Sequence, residues 1–223
     1  MRIFIMRHGE SYSNVGGRIM SSTDLPLTDR GVLQAAAARD YLLGRVGGFD
    51  AVYSSPLIRA KQTAETIWQN GIKICPDLRE MDLGKVEGLT WEERSAKYSD
   101  INIEHHLSTA AMPEGESFGD LLHRCDRFIR DELGPLADKR GNVLLVTHGI
   151  TMRVLINRIL GRESHRVDQM NWADNTSFSE IEWDPQTNAK TLLAFNDRTH
   201  LINAALGNPH YEKWGLFSDI AYD

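Results

Sequence analysis

The 223-residue sequence predicts an α/β fold, in which a mainly parallel sheet carries helices on both faces in three α/β/α layers. Short apolar runs of strand length alternate along the chain with stretches of helical periodicity. Two of these runs, within residues 2–6 and 141–147, contain uninterrupted apolar segments, as is typical of strands buried in a parallel sheet. The length suits one domain spanning residues 1–223, with a small insertion.

The first half of the chain continues from its initial strand with two helices and two short strands. Residues 28–45 are predicted to be helical, because Thr28 is a suitable N-cap and the alanine run that follows favours helix. A short strand is predicted at 51–54. Pro56 then opens a helix that continues through residue 68, since proline favours the first helical turn. Another short strand covers residues 72–74.

The second half of the chain repeats this alternation. An amphipathic helix is predicted at residues 117–133 and a buried strand at 141–147, which a helix at 150–160 follows. Residues 177–183 alternate like a half-buried strand, and a turn leads to another strand at 190–195, so we expect these two to form a hairpin. The apolar side of the 117–133 helix consists of Leu121, Leu122, Cys125, Phe128 and Ile129.

Residues 91–116 fit no regular layer of this fold. The segment is polar and contains the pair His105-His106 and, near its end, Met112-Pro113. Long loops in compact domains often serve as lids or binding loops. We therefore interpret the segment as a lid-like insertion over the strand ends, with a solvated surface excursion as the alternative.

Composition and charge argue against several classes of protein. The net charge of −6 argues against general nucleic-acid binding but leaves room for a local basic pocket. No apolar stretch is long enough to span a membrane, and Met1 leads directly into the first strand, which leaves no room for a signal peptide. Cys75 and Cys125 show no metal-ligand spacing. We therefore expect a cytoplasmic protein without nucleic-acid or membrane partners; the oligomeric state and the role of residues 214–223 stay open.

Two of the predicted strands end in His-Gly. Arg7-His8-Gly9 follows the first strand directly, and His148-Gly149 follows the strand at 141–147. Ligand sites in open α/β sheets lie beyond the carboxyl ends of the strands. A histidine at such a place can act as a nucleophile, and an arginine beside it can pair with a phosphate. A single histidine of this kind would more simply be a satisfied core or loop residue, but the second copy makes coincidence an unattractive explanation.

Two further strand ends add a cation and a carboxylate. Arg59 lies a few residues after the strand at 51–54, and Glu80 lies in the loop at 79–84. If the sheet is parallel, two arginines, two histidines and a carboxylate converge at one edge. Arginine suits phosphate because its planar guanidinium pairs bidentately with phosphate oxygens. The set therefore predicts a phosphate pocket with a nucleophile and an acid.

Each of these residues also has a structural interpretation. Arg7 and Arg59 could be surface cations whose stems cover apolar surface. Glu80 has rivals for the acid in Asp82 and Glu87. These alternatives stay open on the residues alone.

The motifs, taken in order, resemble those of the histidine phosphatase superfamily, the phosphoglycerate mutase-like proteins. The Arg-His-Gly tripeptide alone is a weak signal, whereas the ordered set is very specific and extends from Met1 to about His200. The stretches that carry the resemblance are residues 7–11 with Asn14, 24–31, 54–64, 78–84, 115–117 and 146–149.

The resemblance implies a role for each matching residue. His8 is implied to be the nucleophile that becomes phosphorylated, and Glu80 the general acid and base. Asn14, which could otherwise simply cap a helix, matches a residue that contacts the phosphoryl oxygens. The rest of the implied phosphate pocket is formed by Arg7, Arg59 and His148. The reaction would then need neither a metal nor another cofactor, and its partner would be a small phosphorylated substrate.

Three functions are compatible with the resemblance. A phosphatase is favoured over a phosphoglycerate mutase because the segment at 91–114 is short and lacks a proline- and tyrosine-rich stretch that could close on the substrate. A catalytically idle binding protein on this fold is disfavoured because the whole set of reactive residues is present. The residues beyond the phosphate that could select the substrate are Arg18, Ser21, Ser22, His105, His106, Met112 and Glu114.

Overall fold

Six strands form a single sheet in the computed structural model, which describes residues 1–103 and 105–207. The strands are β1 (Arg2–Arg7), β2 (Ala51–Ser54), β3 (Ile72–Ile74), β4 (Asn142–Thr147), β5 (Phe178–Trp183) and β6 (Lys190–Asp197). Their spatial order is β3-β2-β4-β1-β5-β6. The first four are parallel to one another, whereas β5 pairs antiparallel with β1 and β6 antiparallel with β5. The mainly parallel sheet and its terminal hairpin are thus confirmed.

Helices cover both faces of this sheet. The α-helices of the described residues are α1 (Tyr12–Val15), α2 (Asp29–Val46), α3 (Ile58–Ile67), α4 (Trp91–Lys97), α5 (Phe118–Phe128), α6 (Gly149–Ile159) and α7 (Thr199–Asn203). Buried side chains of α2 and α3 pack with one set of strand residues, and those of α5 and α6 pack with the other. The predicted three-layer α/β/α arrangement is therefore confirmed.

The two faces of β1 show how the strand pattern produces these layers. Ile3 and Ile5 lie in the core shared with α5 and α6, whereas Phe4 and Met6 lie in the core shared with α2 and α3. All four are fully buried. Because successive strand side chains point to opposite faces, an apolar run with no polar alternation requires cover on both sides.

Several helix ends follow from their capping residues. The Thr28 hydroxyl accepts the amide of Gly31 at 3.0 Å and so caps α2, as its sequence predicts. The helix predicted to open at Pro56 begins two residues later, at Ile58. Ser117 caps α5, which continues after Phe128 as a π-helical turn over Ile129–Leu133.

The expectation that residues 91–116 lack regular structure is wrong at the start of the segment. It begins with α4, whose N-terminus carries a capping box in which Thr90 and Glu93 bond each other's backbone amides. Among the described residues after Lys97, the segment is irregular apart from a short 3₁₀ turn at Leu107–Thr109. The lid role of the segment and the assignment of residues 1–223 to one domain stay predictions.

In the part of the chain that the structure describes, no helix combines the length and apolar character needed to cross a bilayer. Both cysteines, Cys75 and Cys125, are free and buried. The tail at 214–223, whose role the sequence left open, lies outside the described residues.

Candidate active site

Parallel pairing of β1 with β4 brings the two His-Gly strand ends together. Arg7 pairs with Thr147 in the register, so His8 and His148 are the next residues on neighbouring strands. Their ring centroids lie 5.1 Å apart, and both side chains are buried. The convergence that the sequence predicts at this edge of the sheet is therefore present for the histidine pair.

The hydrogen bonds of His8 assign one tautomer to its ring. Its Nδ1 lies 2.7 Å from the carbonyl oxygen of Gly9, and its Nε2 accepts the Nε–H of Arg59 at 3.3 Å. Because a guanidinium can only donate, Nε2 must carry the lone pair and Nδ1 the proton. Burial, followed by the charges of Arg59 and Arg7, holds the pKa of His8 well below its ordinary value of 6.5. The ring is therefore neutral at neutral pH, with Nε2 as its nucleophilic nitrogen.

A close backbone approach fixes the chain just after His8. A Cβ atom on Gly9 would lie 2.7 Å from the carbonyl oxygen of Gly31, and a Cβ on Gly31 would lie 1.9 Å from that of Glu10. Neither distance is possible for a real side chain, so both positions require glycine. The amide of Gly9 also donates to the Thr63 hydroxyl at 2.9 Å. The nucleophile segment thus rests directly on α2 and α3.

Arg59 is held by three hydrogen bonds although it is almost completely buried. Its Nη2 donates to the carbonyl of Ser21 at 2.6 Å and its Nη1 to that of Thr23 at 2.9 Å, while Nε reaches His8. Burial lowers the pKa of Arg59, and the charges of Glu80 and Asp24 partly oppose that effect. The guanidinium stays charged and lies in a fixed plane beside the nucleophilic nitrogen.

Arg7 and His148 form the other side of the site. Arg7 donates through Nη1 to the carbonyl of Ala173 at 2.6 Å. Its Nε lies next to Gly149, 3.8 Å from the position that a Cβ atom on this glycine would occupy. His148 contacts the Ser55 hydroxyl through Nε2 at 2.7 Å, while no partner within the described residues bonds its Nδ1. Burial, then the charges of Arg59 and the neighbouring histidine, hold the pKa of His148 well below 6.5.

The Glu80 carboxylate lies at the N-terminus of α6, immediately after His148. Oε2 accepts the amide of Ile150 at 3.1 Å, and Oε1 accepts the amide and hydroxyl of Thr151, each at 3.1 Å. Anions are stabilised at helix N-termini, where backbone N–H groups lack intrahelical partners. Glu80 is thereby fixed at the residues that follow His148-Gly149, near enough for its charge to act on Arg59.

The two rival carboxylates serve local backbone structure instead. Asp82 accepts the amide of Gly84 at 2.9 Å and so stabilises its own turn. Glu87 accepts hydrogen bonds from Ser21, Ser22 and Thr23. The geometry therefore favours Glu80 among the three carboxylates.

Asn14 takes part in helix capping, the alternative that the sequence left open, as the N3 residue of a capping box whose N-cap is Ser11. Its Oδ1 accepts the amide of Ser11 at 3.0 Å and the hydroxyl of Ser11 at 3.1 Å, at the start of α1. The same oxygen accepts the Nδ2 of Asn175 at 3.2 Å, which ties Asn14 to the site. A contact between Asn14 and a phosphoryl group stays a prediction.

Sequence reasoning missed the segment at 173–177, which closes the site from the β5 side. Asn175 donates through Nδ2 to the carbonyl of His8 at 3.0 Å. Thr176 has a φ of 59°, a conformation uncommon for a β-branched residue, and its amide donates to the carbonyls of Arg7 and His8. Because β5 runs antiparallel to β1, its beginning lies where β1 ends. A predicted β1–β5 pairing would have been the signal.

The residues predicted to select the substrate have diverse surroundings. Ser21 and Met112 are buried, and Ser21 is bonded to Glu87. His105 and His106 are exposed, as the lid hypothesis requires. Arg18 donates to the carbonyl of Gly88, and Glu114 pairs with Lys85, both at the surface.

Among the residues that the structure describes, no group of three or more histidine, cysteine, aspartate or glutamate side chains is arranged to hold a metal ion.

Comparison with known proteins adds sequence and structural relatives. The family model described as "Histidine phosphatase superfamily (branch 1)" matches residues 3–198. A Proteus mirabilis protein named "Probable phosphoglycerate mutase GpmB" is 29% identical over 217 residues, covering 92% of this chain and 97% of the relative. The α-ribazole phosphatase of Shigella flexneri has a TM-score of 0.75 at 30% identity, covering 89% of this chain and 97% of that one. A mycobacterial glucosyl-3-phosphoglycerate phosphatase has a TM-score of 0.78 at 26% identity, covering 87% and 98%.

Proposed function

Because the chain belongs to the histidine phosphatase superfamily, we propose that it is a metal-independent phosphomonoester hydrolase acting through a phosphohistidine on a small phosphorylated metabolite. The observation that carries the proposal is the state of His8. Its buried, neutral ring keeps the proton on Nδ1 and presents the Nε2 lone pair beside Arg59. A nucleophile in this form, next to two arginines, suits attack on phosphorus.

The first step transfers the phosphoryl group to the enzyme. Nε2 of His8 attacks phosphorus while the bond to the ester oxygen breaks, and Glu80 gives its proton to the leaving alkoxide. Glu80 enters this step protonated, and the second step returns that proton. Arg7 and Arg59 stabilise the charge on the equatorial oxygens, the main catalytic requirement in phosphoryl transfer.

The second step returns the enzyme to its resting state. Water attacks the phosphohistidine, Glu80 takes a proton from that water, and the bond between phosphorus and Nε2 breaks. Inorganic phosphate leaves, and the His8 ring is neutral again. His148, which bonds Ser55 through Nε2, has Nδ1 left for a phosphoryl oxygen throughout both steps.

The direct test is trapping the covalent intermediate. Wild-type protein incubated with a model phosphomonoester should form an acid-labile phosphoenzyme and release inorganic phosphate. His8→Ala should form neither, because loss of the nucleophile costs many-fold in rate. Turnover by His8→Ala above about a tenth of the wild-type rate would contradict the proposal, since the remaining groups alone supply far less acceleration.

A phosphoglycerate mutase is the second candidate, because a relative of nearly the same length carries that name. A mutase must keep its phosphohistidine from water and return the phosphoryl group to a second oxygen. Conversion of 2- and 3-phosphoglycerate without release of phosphate would identify it. A catalytically idle binding protein would form no stoichiometric phosphohistidine at all. The cytoplasmic location, and the absence of nucleic-acid and membrane partners, stay predictions from composition.

A further inference from the structure

Glu87 organises the short loop at 21–23 by accepting four hydrogen bonds from it. Oε1 accepts the amides of Ser21 at 3.0 Å and Thr23 at 2.7 Å. Oε2 accepts the hydroxyl of Ser21 at 3.1 Å and the amide of Ser22 at 3.2 Å. An ionised carboxylate offers about four acceptor sites, so this loop uses the whole acceptor capacity of Glu87.

The same loop supplies the carbonyl groups that hold Arg59. Ser21 and Thr23, which give their amides to Glu87, accept the two terminal nitrogens of Arg59 at 2.6 and 2.9 Å. The third donor of the guanidinium, Nε, is the one that meets His8 Nε2. Because a guanidinium is rigid and planar, fixing both terminal nitrogens also fixes the direction of Nε.

Further hydrogen bonds hold the 21–23 loop against residues 83–89. The Ser21 hydroxyl, besides donating to Glu87, accepts the amide of Leu83 at 3.2 Å. Just before the loop, the amide of Ile19 donates to the carbonyl of Leu89 and its carbonyl accepts the amide of Gly88, both at 2.8 Å. Burial raises the pKa of Glu87, but the hydrogen bonds from Thr23, Ser21 and Ser22 outweigh it and lower the pKa. The carboxylate is therefore ionised at neutral pH, as four donors require.

We propose that Glu87 is a positioning residue of this site: by ordering the 21–23 loop, it sets the plane of the Arg59 guanidinium against the nucleophilic nitrogen of His8. This inference rests on the proposed function, because it assigns Glu87 a part in the same reaction. It also explains why a carboxylate occupies position 87 without assigning it proton transfer, the role in which Glu87 was an alternative to Glu80.

Glu87→Gln tests the proposal with almost no change in shape. The new NH₂ group must face two of the donors that now meet a carboxylate oxygen, so two of the four hydrogen bonds are lost. We expect kcat to fall roughly 10- to 100-fold, since misplacing one preorganised charge is costly in a transition state. Affinity for vanadate should fall with it. Glu182→Gln is the matched control, because it changes an exposed carboxylate of β5 that pairs in register with Arg2, at the end of β1 opposite to His8.

A double-mutant cycle separates positioning from a general structural role. If Glu87 acts through Arg59, then adding Glu87→Gln to Arg59→Ala should lower kcat by less than about threefold, because coupled residues are not additive. Losses that multiply in the double variant would overturn the proposal. So would wild-type kcat and vanadate affinity in a folded Glu87→Gln protein.

Ser21→Ala provides a second variant if circular dichroism shows that Glu87→Gln does not fold. It removes the hydroxyl shared by Glu87 and Leu83 and keeps the carbonyl that holds Arg59. We expect a loss of roughly 3- to 10-fold that disappears in the Arg59→Ala background, and a loss that persists there contradicts the proposal. Calorimetry with inorganic phosphate separates the two proposals. If the wild-type protein shows no turnover, the proposed function is wrong. Weaker binding of inorganic phosphate by Glu87→Gln than by the wild type would still support the positioning role, because that measurement does not depend on turnover.

Discussion

Two glycines of the same helix should respond to alanine in opposite directions. Gly31 and Gly44 both lie in α2, but a Cβ on Gly31 would meet the Glu10 carbonyl oxygen at 1.9 Å, whereas one on Gly44 would have nothing within 4 Å. Gly44→Ala should therefore show the ordinary preference of a helix interior for alanine, which stabilises by about 0.5–1 kcal/mol. Gly31→Ala should show the steric cost of a backbone collision.

The size of that cost follows from the same geometry. Ordinary van der Waals contact begins at 3.4 Å, so the backbone around Gly31 and Glu10 must separate by about 1.5 Å. Neither partner is a flexible side chain, and the Glu10 carbonyl also accepts the amide of Thr28, the N-cap of α2, at 2.9 Å. Overpacking of this kind costs typically 1–3 kcal/mol, and a collision between two backbones belongs at the upper end, about 3 kcal/mol. Because Glu10 is two residues after His8, a displacement of this order should also lower kcat at least about tenfold.

Urea and thermal unfolding followed by circular dichroism measure the change in stability, and phosphate release from a model phosphomonoester measures the change in kcat. For a chain of this length, about 3 kcal/mol corresponds to a fall in Tm of roughly 6–12 °C for Gly31→Ala, against a rise of about 1–4 °C for Gly44→Ala. Equal stabilities and equal kcat values for the two variants would refute the close-approach argument for this part of the site.

Four further outcomes are expected. Glu80→Gln should slow hydrolysis of alkyl phosphates far more than that of nitrophenyl phosphate, because a general acid matters most for a poor leaving group; an innocuous Glu80→Gln beside a damaging Asp82→Asn would reassign the acid. The free energy of unfolding should decrease as pH falls from 7.5 to 5.5, because the two site histidines and His200, whose pKa burial lowers to about 4, bind protons more readily when unfolded; a flat profile across this window in urea titrations would contradict it. Exhaustive chelation should leave kcat unchanged, and a loss that a divalent ion restores would disprove metal independence. Alanine at both His105 and His106 should change relative KM values across a panel of phosphomonoesters while kcat on small substrates persists, and an unaltered order of preference would make these histidines bystanders.

The histidine pair could be predicted from sequence because it depends on local pattern and one topological rule. Apolar runs of strand length located β1 and β4, and the rule that ligands bind beyond the carboxyl ends of parallel strands did the rest. The placement of His8 and His148 needed no knowledge of which side chains touch. Arg59 and Glu80 follow from the same rule, but the choice of Glu80 over Asp82 and Glu87 required the resemblance to a family, because loop carboxylates carry no local signal that tells them apart.

The segment at 173–177 could not be predicted because strand alternation does not encode the pairing partner. The hairpin of β5 with β6 follows from a turn, whereas the pairing of β5 with β1 joins residues far apart in sequence. Helix α4 is a different case, since Thr90 and Glu93 have the spacing of a capping box in plain sequence. That signal was available, and the polar composition of the segment concealed it.

The hydrogen bond from Arg59 to His8 occupies the Nε2 lone pair, which is the same electron pair that must form the bond to phosphorus. A covalent bond at Nε2 and the hydrogen bond from Arg59 Nε exclude each other, so the resting nucleophile is masked until an electrophile displaces the donor. At 3.3 Å that hydrogen bond is longer than the usual 2.9–3.0 Å, so exchanging it loses little. Any reagent that modifies the imidazole must first displace this hydrogen bond, whereas an anionic substrate offers the Nε–H of Arg59 an oxygen in place of the ring nitrogen and so frees Nε2.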